Sequence, residues 1–118
     1  MSEHSEQTAL FSWAKAQQGA IPELALLFAI PNAGKRSYAA ASYMQAEGLK
    51  SGLPDICLPI ARGGWHSLFI ELKYGKNTPS AEQTAWIAAL KEHGNAAYIA
   101  WGFEAARDLI LCYLEGRL

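Results

Sequence analysis

The chain of 118 residues carries 10 Lys and Arg against 11 Asp and Glu, a formal net charge of −1, and is 51% hydrophobic and 18% charged. That apolar content supports a packed core and excludes a disordered tail or a low-complexity linker. The near-zero charge excludes binding to nucleic acid by bulk positive charge, and leaves open binding through a local basic rim.

From Ser5 to Gln18 the residues Leu10, Trp13 and Ala14 recur at helical spacing until Gly19 and Pro22 stop the pattern, which predicts a first helix. Leu26 to Ile30 is a short apolar run between Pro22 and Pro31-Asn32-Ala33-Gly34 and reads as a buried strand. The Ala-rich stretch from Ser37 to Glu47, closed by Gly48, reads as a helix, and Ser51-Gly52-Leu53-Pro54 as a turn. Asp55 to Ile60 and Ser67 to Tyr74 are strand-like runs around Arg62-Gly63-Gly64, the punctuation of an antiparallel hairpin. Ser80-Ala81-Glu82-Gln83 opens a helix with Trp86, Ala89 and Leu90 on one face, which Gly94 closes. A strand over Ala97 to Trp101 and a helix over Glu104 to Leu114 complete the chain. The strand from Ser67, the helix from Ser80 and the strand from Ala97 form a parallel β-α-β unit. The expectation is one domain over 1–118, an α/β sandwich around a mixed sheet of about four strands.

The two cysteines, Cys57 and Cys112, form neither a disulfide framework nor a zinc site. The acidic start to the chain is unlike a targeting segment, and the longest apolar runs, about eight residues, fall short of the ~20 that span a bilayer. A cytoplasmic protein with no membrane partner is expected.

Polar residues in the hairpin carry the chemical signal. Strand alternation puts Leu68, Ile70 and Leu72 on one face and Phe69, Glu71 and Lys73 on the other. Centring the turn on Gly63 sets Asp55 opposite Glu71, a register that a bulge at Gly64 would shift by one. Like charges facing each other are destabilising, so something must compensate. Two converging carboxylates form a hard oxygen site for Mg²⁺ or Mn²⁺, with the Lys73 ammonium beside it. The bland alternative is a surface Glu71–Lys73 pair, with Asp55 as a turn residue.

These residues have a family likeness. Glu6, Ile30-Pro31-Asn32 with Gly34 and Arg36, Gly52-Leu53-Pro54-Asp55, Ile70-Glu71-Leu72-Lys73, and Ser80 with Gln83 together resemble the VRR-NUC branch of the PD-(D/E)XK nuclease superfamily. The resemblance implies a restriction-endonuclease-like three-layer sandwich, with the Ser37 to Glu47 helix as an insertion. It implies metal ligation by Asp55, Glu71 and the Leu72 carbonyl, a catalytic role for Lys73, and supporting roles for Glu6 and Gln83. It further implies a Mg²⁺- or Mn²⁺-dependent DNA endonuclease, a homodimer selective for branched DNA such as Holliday junctions. A non-catalytic DNA-binding or partner-recruiting module with the same fold is the alternative.

The supporting residues keep simpler readings. Gln83 can complete a capping box with Ser80, and Glu6 can serve as a favourable first-turn charge. Cys57 alternates onto the side of Asp55 and reads as a small buried residue, while Trp65 at the hairpin tip is the tryptophan placed to stack on a base. Divided along the chain, residues 31–76 carry six basic and three acidic groups, between flanks that are each net acidic. Asn32, Lys35, Arg36, Lys50, Arg62 and Lys76 are the candidate nucleic-acid contacts, the five basic ones sitting in loops or at element ends.

Overall fold

The computed structural model describes residues 1–32 and 37–118, so Lys35 and Arg36 lie outside the described residues. Helix α1 spans Glu3–Gln17, two residues earlier than its apolar periodicity suggests. Ser2 caps it, accepting from the Ser5 N–H at 3.1 Å while the Ser5 hydroxyl accepts from the Ser2 N–H at 2.8 Å. Pro22 then opens a 3-10 helix over Pro22–Leu26, which takes Leu26 out of the expected strand and leaves β1 as Phe28–Ala29. Helix α2 spans Tyr38–Ala46, β2 Ile56–Leu58, β3 Leu68–Lys73, α3 Ala81–Glu92, β4 Ala96–Trp101 and α4 Phe103–Leu114. Among the described residues, no helix is long and apolar enough to cross a membrane.

The sheet runs β1-β2-β3-β4, antiparallel between the first three strands and parallel between β3 and β4. The even-numbered face of β3, Leu68, Ile70 and Leu72, joins Leu10 and Ala14 of α1 and Ala106, Ile110 and Tyr113 of α4 in the main core. On α3 the buried residue is Ile87, while Ala89 is exposed and Trp86 and Leu90 are half-buried, so the helix is turned about one residue from the expected face. The result is an α/β fold with a four-strand mixed sheet flanked by helices.

Ile56 stands opposite Ile70 and Leu58 opposite Leu68, and one further step sets Asp55 opposite Glu71. The turn reaches that register by an unexpected route. Gly63 and Gly64, at φ 58° and 89°, form a two-residue turn closed by Arg62 and Trp65, one residue out of step with the strands. The extra residue is absorbed at Pro59 rather than at Gly64, where the Ile60 N–H reaches back to the Leu58 carbonyl at 2.9 Å. Without that bulge Asp55 would lie opposite Leu72, on the core face.

The Gly52 loop fixes the Asp55 end of the hairpin against α3. Gly52 has φ +82°, and a Cβ there would lie 2.7 Å from the Glu82 Cβ and 3.1 Å from the Glu82 carbonyl carbon. Ser51 also donates to Glu82 Oε2 at 2.6 Å and accepts from the Trp86 indole at 3.2 Å. Gly52→Ala is expected to cost roughly 1–3 kcal/mol of stability, through left-handed backbone strain and displacement of the first turn of α3. Chemical denaturation of the variant, read as a midpoint shift, is the measurement.

Candidate active site

Each group in the hairpin owes its place to local sequence. Extending the β2–β3 register sets Pro54 opposite Leu72, where each residue would exchange two ladder bonds. Pro54 is buried and has no N–H to give the Leu72 carbonyl. The Leu72 N–H donates instead to Asp55 Oδ2 at 2.8 Å, which orients that carboxylate, and the Asp55 carbonyl accepts from Ile30 N–H at 2.8 Å. The Pro-Asp pair therefore opens the ladder on the β2 side of Leu72 and fills half the gap with a carboxylate.

Glu71 and Lys73 project from the other face of β3 and are both buried, at 0% and 8% exposure. Lys73 Nζ lies 3.2 Å from Glu71 Oε2, and Gln83 Nε2 donates to the same oxygen at 3.0 Å. Gln83 Oε1 meanwhile accepts from the Ser80 N–H at 2.8 Å, so one amide both caps α3 and holds Glu71. Glu71 Oε1 is buried with no hydrogen-bond partner among the described residues. Burial first, and repulsion from Asp55 second, push the Glu71 carboxyl up to about 8, against a smaller pull downward from Lys73.

The third acid is Glu3, a first-turn residue of α1 outside the expected site residues. Carboxylate oxygens of Glu3, Asp55 and Glu71 lie within 4.8 Å of one another. Glu6, expected as the supporting acid, is outside this group: its Oε1 accepts from the Phe103 N–H at 3.2 Å and caps α4. Gly102 at the head of α4 makes room for it, since a Cβ there would sit 3.0 Å from that oxygen. The Ser2–Ser5 pairing was the available signal, because it places Glu3 in the first turn of α1.

Three acids whose oxygens cluster, one of them with a buried and unpartnered oxygen, fit a hard divalent cation by donor chemistry. Cys57 is buried within β2 of the hairpin with its thiol pushed up to about 11 by burial, which keeps it protonated and unreactive.

The expected nucleic-acid contacts divide. Asn32 is half-buried, two residues beyond the Ile30–Asp55 bond, and Lys50 and Lys76 are exposed in the loops before β2 and after β3, at the carboxylate end of the sheet. Arg62 is at the opposite end, at the hairpin tip, with its guanidinium on Glu23. Trp65 is not an open platform, for its indole donates to the Leu118 carbonyl at 3.1 Å and its ring packs on the core.

A VRR-NUC domain model matches residues 1–104. A solved structure described as a VRR_NUC domain protein is similar, with a TM-score of 0.84 and 27% identity, over 98% of this chain and 90% of that one. No curated protein matches the chain. With the fold, the ordered motifs and the family model in agreement, the chain belongs to the VRR-NUC domain family of nuclease-type domains.

Proposed function

We propose that this protein is a metal-dependent endonuclease that hydrolyses phosphodiester bonds in DNA. The carrying observation is Glu71, a carboxylate buried beside Lys73 with one oxygen unpartnered and the acids of Asp55 and Glu3 converging on it. In this reading Asp55, Glu71, Glu3 and the Leu72 carbonyl hold Mg²⁺ or Mn²⁺. A divalent cation held there supplies Lewis acidity, which lowers the pKa of a coordinated water and offsets charge on the phosphoryl oxygens.

The chain's own groups set the geometry around that charge. Gln83 holds Glu71 Oε2 and leaves Oε1 without a protein partner, open to a cation in this reading. Lys73 favours the hydroxide form of the attacking water and takes up part of the negative charge of the transition state. Asn32, Lys50 and Lys76 line the carboxylate end of the sheet and steer the strand through phosphate contacts, as Lys35 and Arg36 do in this reading.

The substrate in this proposal is branched DNA, such as a Holliday junction, and the working form is a homodimer. A small domain offers one short footprint, so two arms call for a second subunit. The exposed apolar residues Leu26, Phe28, Tyr38 and Tyr43, beside or within the edge strand β1 and helix α2, which buries none of its residues among the described ones, support association with another surface.

The test is incubation of labelled four-way junctions, flaps and linear duplex with protein and Mn²⁺ or Mg²⁺. Wild type is expected to cut the junction preferentially, and Asp55→Asn to lose at least ~10²-fold in rate, as expected when a group fixing the reacting centre is removed. Cleavage by Asp55→Asn at the wild-type rate would refute the nuclease site. Linear duplex cut as fast as junctions would refute the branched substrate alone.

A further inference from the structure

Of the four tryptophans, Trp13, Trp65 and Trp86 are half-buried, whereas Trp101 is 47% exposed. It ends β4, and its Cα partner across the parallel ladder is Lys73. The Gly102 N–H donates to the Lys73 carbonyl at 2.9 Å, which locks the two strand ends together. Residues paired across a ladder project to the same face, so Trp101 shares the sheet face of Lys73, one strand out from Glu71.

The ring is also held. Its Nε1–H donates to the Asn77 carbonyl at 2.8 Å, in the loop that carries the exposed Lys76. A held aromatic ring half open to water, hydrogen-bonded to the loop of the exposed Lys76 and one strand from an acidic cluster, has the makings of a base-stacking surface. Bases stack on such a ring whatever their identity, while the exposed Lys76 neutralises an adjoining phosphate. A base reaches the ring only when it is free of its partner strand.

Resting on the nuclease reading above, we propose that Trp101 is a stacking platform for one unpaired base of the DNA next to the scissile phosphate. Trp101 thereby selects DNA with single-stranded character at the cut site over continuous duplex.

The experiment measures binding of a tailed duplex and a blunt duplex by fluorescence anisotropy in Ca²⁺, with wild type, Trp101→Ala and Trp101→Phe. The Ala variant is expected to lose about 10-fold in affinity for the tailed duplex, the scale of one base–aromatic stack, and none for the blunt duplex. The Phe variant, which keeps a ring and loses the N–H, should stay near wild type. Equal weakening by Ala and Phe would mean that Trp101 only anchors the Asn77 loop, and equal losses on both DNAs would remove the selectivity. Either result overturns the proposal, as does unchanged binding by the Ala variant. Wild-type protein that binds tailed DNA through Trp101 yet cuts none in Mn²⁺ would sink the nuclease reading and support the platform. Intact Mn²⁺ cleavage with Trp101→Ala binding unchanged would sink the platform alone.

Discussion

Replacing Glu71 with Gln is expected to stabilise the metal-free protein at pH 8 while removing its response to Mn²⁺. The folded chain holds the Glu71 carboxyl up at about 8, against an ordinary value of 4.5, chiefly because the group is buried and secondly because Asp55 faces it. Between those two values the folded state keeps a proton that the unfolded state releases. The resulting stabilisation is complete below about pH 4.5 and is lost as pH rises through about 8. Each pK unit is worth about 1.4 kcal/mol, so the cumulative loss is on the order of a few kcal/mol, enough to lower Tm by roughly 10 °C or more in a domain of this size.

A glutamine at position 71 has nothing to ionise, and its amide N–H groups can donate to Asp55 and Glu3. Its Tm should therefore fall less between pH 5 and 8. Bound cation acts in the opposite direction, because it displaces the proton from Glu71, so stabilisation of wild type by Mn²⁺ should grow over the same window. Thermal melts of both proteins across that range, with and without millimolar Mn²⁺, check both signs. Parallel Tm profiles, or a Mn²⁺ shift retained by the Gln variant, would show that Glu71 neither carries the proton nor holds the ion.

The hairpin was legible because alternation and glycine punctuation are local. Extending the strand register sets Asp55 opposite Glu71, as centring the turn on Gly63 expects, although the tip pairs Arg62 with Trp65 and the mismatch is taken up at Pro59. Local rules also foresaw the capping role of Gln83, but its second hydrogen bond, to Glu71, depends on how α3 packs on β3. The choice between Glu3 and Glu6 is of the same kind. Both lie in the first turn of α1, and the path of that helix over the sheet sends one to Asp55 and the other to the head of α4. The Arg62–Glu23 pair joins residues far apart in sequence, as does the Trp65–Leu118 bond, and no spacing rule signals either. Tertiary packing therefore decided which charged and aromatic groups stayed available for chemistry. The sequence named the two carboxylates at the centre but not all of their neighbours.

Lys73→Met is expected to lower cleavage by about 10²- to 10³-fold, the usual cost of removing one group that stabilises transition-state charge, while leaving the fold intact. The Lys73 stem is buried, and methionine fills a similar volume without the charge. Removing one partner of a buried pair is costly when the remaining charge is stranded. Glu71 escapes that penalty, since burial and Asp55 already favour its protonated form and Gln83 still donates to Oε2. Divalent-cation binding should survive, because the variant loses a positive charge 3.2 Å from a proposed ligand oxygen and keeps every carboxylate. The two substitutions thus separate two functions of adjacent residues on one strand face. Glu71→Gln loses both the ion and the activity, whereas Lys73→Met keeps the Mn²⁺-dependent rise in Tm and loses the rate. Single-turnover cleavage of a junction at saturating protein isolates that rate from binding. A Lys73→Met protein that cuts as fast as wild type under those conditions would confine Lys73 to balancing the charge of Glu71, with no part in the reaction.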